Sequence, residues 1–229
     1  MKKTYSLIAL TILCFIGRIQ LQAQTSYQIP PKEIMELADT KAPVQNLISK
    51  SNRYLIQVER PLYKSLEELA EPELRLAGLR INPENFNAAR GSYYTGIKLF
   101  TLPDAKEISV TGLPAGYKIQ YISISPQETH LAFVLVSTTD LQLWLLDLAT
   151  GQAKATSAQH LNAVLGMPFQ WDADGKSLLV KFKGDKGKYP DTKELPKGPA
   201  TQDATGTKAP SRTYQDLLRN KQDEDKFDY

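Results

Sequence analysis

I-S-I-S-P-Q-E-T-H-L-A-F-V at Ile122–Val134, L-W-L-L-D-L-A-T-G-Q at Leu143–Gln152 and F-Q-W-D-A-D-G-K-S-L-L-V at Phe169–Val180 decide the fold class. Each apolar run is short and is followed by a turn. Asp147-Leu148-Ala149-Thr150-Gly151 and Asp172-Ala173-Asp174-Gly175-Lys176 each combine Asp, which bonds its own backbone, with Gly, which takes φ > 0 freely. Runs of this length between such turns read as β-strands.

Working outward, the pattern repeats. Pro103-Asp104-Ala105-Lys106 aligns with Ala149-Thr150-Gly151-Gln152 at an offset of 46. Ser125–Leu131 aligns with Asp172–Leu178 at an offset of 47. Ser49–Leu55 aligns with Ser125–Leu131 at 76, and the excess matches an insertion over Arg60–Tyr94. A period of about 40–50 residues holding four short strands is the pattern of a β-propeller blade, whose faces must be covered by neighbouring blades. The expected fold class is all-β: a partial β-propeller of about two blades plus part of a third, with a short N-terminal helix and a helical insertion. The alternative is a β-sandwich with coincidental spacing.

The rest of the chain fits around those strands. Residues 24–42 form a lead-in segment, with a short helix or an extended stretch at Pro31–Ala38. Residues 43–183 hold the blades. Val44–Ile48 and Tyr54–Val58 read as strands around a turn at Ser49–Arg53, and Ile97–Leu102 and Glu107–Val110 as two more. Within the insertion, residues 60–94, Ser65 and Glu68 have capping-box spacing and begin a helix. Leu74–Ile81 is a strand or a second short turn. Residues 184–229 should be a long exposed loop and the truncated start of a further propeller element, with Tyr214, Leu217 and Leu218 at helical spacing. Rings need at least about four blades, so the chain is expected to be part of a longer product. Bare outer faces and edge strands predict poor solubility.

The N-terminus reads as a signal peptide, residues 1–23. Lys2 and Lys3 precede an apolar run at Leu7–Gly17, and Ala23 offers a cleavage site. The alternative is an N-terminal membrane anchor, but the run is too short to span a bilayer. Cys14 is the single cysteine; Ile12 and Leu13 before it argue against lipidation. The processed chain would hold no disulfide, which points to a periplasmic or extracellular location in a bacterium. Lys2, Lys3 and Arg18 also account for the whole formal charge of +3. Without that basic excess, nucleic acid is a poor candidate partner.

Several less regular segments resemble one family. They are P-P-K-E-I-M-E-L-A-D at Pro30–Asp39, E-L-R-L-A-G-L-R-I-N-P at Glu73–Pro83, S-Y-Y-T-G-I at Ser92–Ile97 and R-T-Y-Q-D-L-L-R-N-K-Q-D-E-D-K-F-D-Y at Arg212–Tyr229. They resemble the N-terminal propeller region of the glutamyl endopeptidases, serine peptidases of the prolyl oligopeptidase superfamily. The resemblance implies a propeller packed over a C-terminal α/β-hydrolase domain that carries a Ser–Asp–His triad. The chain has no G-x-S-x-G elbow, so no catalytic residue is assigned, and none is expected for metal or cofactor. It implies a non-catalytic propeller portion whose partners are that hydrolase domain and a peptide substrate, cleaved after acidic residues. The competing reading is a stand-alone periplasmic binding or scaffold module.

Five residues are candidates for substrate contact. Arg75, Arg80 and Arg90 would face an acidic side chain, because a guanidinium fork matches a carboxylate. Their alternative is surface pairing with Glu67, Glu68 or Glu71. Tyr93 and Tyr94 would line a mouth for peptide. The remaining motifs read as architecture. Gly175-Lys176-Ser177 lacks the upstream Gly of a phosphate loop, and Asp172 and Asp174 lack the distal Glu of a calcium loop. His130, His160, Trp144 and Trp171 are assigned to packing or surface.

Overall fold

The computed structural model describes residues 28–184, 187, 189, 190, 206 and 216–229. The signal-peptide reading and most of the expected long loop lie outside those residues. The chain divides into two units, Met1–Thr40 and Lys41–Tyr229. In the first, helix α1 spans Lys32–Ala38, with Pro31 at its N-cap. Proline suits that end because its missing N–H has no helical partner to lose.

The second unit is mostly strand. Strands β1 (Gln45–Ile48) and β2 (Tyr54–Glu59) precede helix α2 (Leu66–Leu69). Then come β3 (Leu74–Leu76), β4 (Leu79–Asn82), β5 (Asn87–Ala88), β6 (Gly96–Thr101) and β7 (Lys106–Ile108). Strands β8 (Ile119–Ile124), β9 (His130–Val136), β10 (Leu141–Asp147) and β11 (Ala153–Ala155) follow, then β12 (Phe169–Trp171), β13 (Leu178–Val180) and helix α3 (Lys221–Asp228). All strand pairings within the sheets are antiparallel. The first sheet runs β1-β2-β6-β7 and the second β11-β10-β9-β8; β12-β13 and β3-β4-β5 form two smaller ones. Among the described residues no helix is long and apolar enough to cross a membrane.

The second sheet lies between two cores. Strand β9 reads H-L-A-F-V-L-V, and Leu131, Ala132, Phe133 and Val134 are all fully buried. Successive side chains point to opposite faces, so a run without polar alternation needs cover on both sides. Leu131 and Phe133, with Leu146 and Leu148, meet Ile56, Val58, Ile97 and Leu99 of the first sheet. Ala132 and Val134, with Leu141 and Leu143, pack on Phe169, Trp171, Leu178 and Val180 of the β12-β13 pair. Trp144 and Trp171 both pack against these cores, and the Trp171 indole N–H donates to the Ser123 carbonyl at 3.2 Å. The outermost faces keep apolar groups in water. Ile48 of the first sheet is 57% exposed and Leu179 of the β12-β13 pair 74%.

The turns carry the internal repeat into three dimensions. Ser49, Ser125 and Asp172 donate their N–H groups to the carbonyls of Tyr54, His130 and Ser177 at 2.9, 2.8 and 2.9 Å. Their own carbonyls accept from Asn52, Glu128 and Gly175, and those three residues are all left-handed, with φ of 58°, 55° and 64°. These are the positions that the offsets of 76 and 47 equate. The Ser49 hydroxyl caps the Arg53 and Tyr54 N–H groups as the Ser125 hydroxyl caps those of Thr129 and His130. The offset of 46 likewise equates Ala105 and Gly151, at φ 51° and 74°. Asp172 and Asp174 spend a carboxylate oxygen each on the N–H of Ala173 and Lys176, which are turn contacts.

Two expectations need correction. The insertion is helical only over α2. Most of its regular structure is the three-stranded β3-β4-β5 sheet, turned at Ala77-Gly78, both left-handed at φ 50° and 80°. Two positive φ values in a two-residue loop match the twist of the flanking strands. The second correction concerns the C-terminal helix. It is Lys221–Asp228, not the stretch around Leu217 and Leu218. Asn220 is extended and its side chain accepts from the Asp223 N–H at 2.8 Å, which starts the helix there.

Candidate functional site

The β3-β4 hairpin is amphipathic. Its register pairs Leu74 with Ile81 and Leu76 with Leu79 on one face, and Arg75 with Arg80 on the other. Leu74, Leu76 and Ile81 line a cleft of about 450 Å³, together with Phe227 and Tyr229. The two arginines converge instead on Glu73, the residue just before β3. Arg75 Nε donates to Glu73 Oε1 at 2.8 Å, Arg80 Nη1 lies 3.8 Å from the same oxygen, and Arg90 Nε is 3.6 Å from Oε2. The three arginines named from the sequence are therefore brought together. Their shared partner is Glu73, rather than Glu67, Glu68 or Glu71.

Tyr93 and Tyr94 point to different places. The Tyr93 hydroxyl donates to Glu68, and the Lys118 ammonium sits 4.7 Å from the centre of its ring. The Tyr94 hydroxyl donates to Gln45 at 2.6 Å, and its ring packs on the core between the first two sheets. Tyr93 and Arg90 line one small polar pocket with Lys64, Glu68, Asn87 and Lys118; Tyr94 does not.

Glu68 has more work than the capping box. The Ser65 hydroxyl accepts from the Glu68 N–H, and the Glu68 carboxylate accepts from the Ser65 N–H. The same carboxylate takes the Tyr93 hydroxyl and the Lys118 ammonium, the latter at 2.8 Å. Burial pulls its pKa up, but Lys118, Tyr93 and the Ser65 N–H outweigh that and hold it below the usual carboxylate value. Burial, with Glu68 beside it, raises the Tyr93 phenol above its ordinary range. A carboxyl depressed in the folded state adds stability above its unfolded pKa, and that stability is lost as pH falls through the folded value. Glu68→Gln should therefore destabilise the chain near neutral pH, with the gap to wild type narrowing as pH falls. Urea midpoints between about pH 7 and pH 3 check this.

Neighbouring side chains fasten the insertion to β8. Asn87 donates to Gln120 Oε1 at 2.6 Å and accepts from the Tyr121 hydroxyl at 2.7 Å. Gln120 in turn donates to the Ser92 carbonyl at 2.7 Å. Tyr121 is left-handed, at φ 53°, where the β8-β9 register shifts. Sequence reading missed this network. Its available signal was the spacing of Asn82, Asn85 and Asn87, a residue type that bonds local backbone. It also missed Glu73, two residues before Arg75, which meets Arg80 and Arg90 only once the chain has folded.

The histidines sit elsewhere. His130 Nδ1 is 2.9 Å from the Thr129 hydroxyl, and its Nε2 is 3.9 Å from Asp147. Hydroxyl, imidazole and carboxylate are thus in line, but Asp147 is committed to its turn: Oδ1 accepts from the Ala149 and Thr150 N–H groups and the Thr150 hydroxyl. His160 pairs with Asp140 at 3.1 Å on the surface.

No family model matches the chain. Over 221 residues, 90% of its length, it is 33% identical to an Oryza sativa subsp. japonica protein named "Probable glutamyl endopeptidase, chloroplastic". Over 224 residues, 92% of its length, it is 33% identical to an Arabidopsis thaliana protein of the same name. The chain spans about a quarter of these curated relatives, 24% and 23% of their lengths. A solved Bacteroides fragilis structure, named as a "putative 6-phosphogluconolactonase", aligns with 62% of this chain and 50% of its own. At 16% identity and a TM-score of 0.31 it carries no argument.

Proposed function

We propose that this chain is the N-terminal β-propeller region of an exported serine peptidase of the glutamyl endopeptidase type. The observation that carries the reading is the 33% identity across nine-tenths of the chain to proteins named for that activity. The three stacked sheets, with their equivalent turns, support reading them as consecutive blades. Each sheet covers its neighbour, and the open outer faces are what the remaining blades of a ring would cover.

In this reading the chain itself is non-catalytic. A serine in a further α/β-hydrolase domain attacks the peptide bond, with His as general base and backbone donors holding the oxyanion. The propeller region restricts access to that site. Arg75, Arg80 and Arg90 face acidic side chains of the substrate, and Tyr93, which shares a pocket with Arg90, flanks its path. Cleavage follows acidic residues. Sequencing the gene beyond the Tyr229 codon tests the reading. The expected result is an open frame continuing for several hundred residues, with G-x-S-x-G, then Asp, then His. A stop codon directly after Tyr229 would leave a binding module instead.

A further inference from the structure

The β3-β4 register sets Arg75 directly opposite Arg80. Like charges facing each other across a ladder destabilise it unless an anion lies between them. Glu73 supplies one carboxylate, and Arg90 adds a third guanidinium from beyond β5. The cluster is thus rich in cation. Asp216, whose charge also acts on Arg75, offsets only part of that excess.

Donors are in surplus as well. Each guanidinium carries five N–H groups in a planar fork. Of the three contacts to Glu73 only that of Arg75 is at hydrogen-bond distance; the others are 3.6 and 3.8 Å. Glu73 Oε2 is buried, yet among the described residues it has no hydrogen-bond partner. The Glu73 side chain is 7% exposed, whereas those of Arg75, Arg80 and Arg90 are 53%, 51% and 41% exposed. A second carboxylate can therefore reach the guanidinium groups from solvent. Glu73 precedes β3, so its side chain can swing away without breaking a strand pairing.

We propose that Arg75, Arg80 and Arg90 form a carboxylate site whose resident occupant is Glu73, and that an acidic side chain of a bound peptide takes its place. The choice of an acidic peptide rests on the peptidase reading; the site and its resident do not. Glu73 holds the three cations in place while the site is empty and competes with the incoming carboxylate. Removing its charge strengthens binding rather than weakening it.

The test is to titrate the chain with N-acetyl-glutamate amide, N-acetyl-glutamine amide and inorganic sulfate, by calorimetry and by thermal shift. Wild type should bind the glutamate derivative weakly. Glu73→Gln should bind it about tenfold more tightly. Arg80→Gln should abolish binding, and the glutamine derivative should bind none of them. Should Glu73→Gln fail to fold by circular dichroism, Glu73→Asp, which draws the resident carboxylate back by one methylene, should show a smaller gain. Glutamate affinity unchanged or weakened by both Glu73 variants would overturn the proposal. So would equal binding of the glutamine derivative, or sulfate binding as tightly as glutamate in Glu73→Gln. Failure of the peptidase reading would show as a gene product without a serine nucleophile, and leaves these titrations unaffected.

Discussion

Phe133→Ala should lower the unfolding free energy by about 3–5 kcal/mol. Phe133 is fully buried in the core shared by the first two sheets. Truncation removes the ring's transfer free energy and leaves a cavity, because β9 is held on its other face by Ala132 and Val134 against the β12-β13 pair and cannot settle inward. Leu179→Ala is the matched control. Leu179 faces outward and is 74% exposed, so its loss should change stability by less than about 0.5 kcal/mol. Urea denaturation of both variants checks the pair. Loss of under about 1 kcal/mol for Phe133→Ala would contradict burial of β9 between two layers.

The second large effect is expected at Gly151. Gly151→Ala should cost about 2–5 kcal/mol, the sum of a left-handed conformation and an overpacked contact. Gly151 is at φ 74°, and a Cβ there would lie 2.3 Å from the Ser109 carbonyl oxygen. That approach is fixed by the Gly151 carbonyl, which accepts from the Thr111 N–H at 2.9 Å, and by the parallel bridge of Thr111 to Gln152. The conformation alone is tolerable. Ala105, at the equivalent position one repeat earlier, holds φ 51° with a side chain. Gly116 is the control: φ is 67° but no atom lies within 4 Å of an added Cβ. Gly116→Ala should therefore cost only about 1–2 kcal/mol. Equal losses in the two variants would mean that conformation, and not the approach to Ser109, decides the effect.

How far the fold was legible depended on the range of the interactions. Strands and turns were readable wherever local chemistry decides. Ser125, Glu128 and His130 are six residues from end to end, and so are their counterparts at Asp172, Gly175 and Ser177. The capping box of Ser65 and Glu68 was legible for the same reason. The β3-β4 hairpin is ambiguous between strand and turn in the sequence because Ala77-Gly78 lacks the Asn or Asp that usually marks a two-residue loop. The terminal helix was displaced because apolar spacing at Tyr214, Leu217 and Leu218 pointed one way and the Asn220 cap decided otherwise.

The candidate site was legible in its residue types but not in its pairing. Arginine at 75, 80 and 90 was visible; that they share Glu73 depends on a hairpin register no local motif announces. Tyr93 and Tyr94 are neighbours in sequence, yet only Tyr94 is bridged to the second sheet, opposite Ile119. Tyr93 joins Glu68 and Lys118, and Tyr94 joins the core. Glu68 joins residues 25 and 50 positions away, a reach beyond any sequence window.

The proposed role of this chain is that of the non-catalytic propeller region of a serine peptidase. Labelling the gene's natural product with a fluorophosphonate probe tests this most directly. The expected result is a labelled polypeptide about four times the length of this chain, in line with the 24% and 23% of the plant relatives that it spans. The modified serine should lie outside residues 1–229. A label on a serine within this chain, or a product that ends with it and takes no label, would contradict that role.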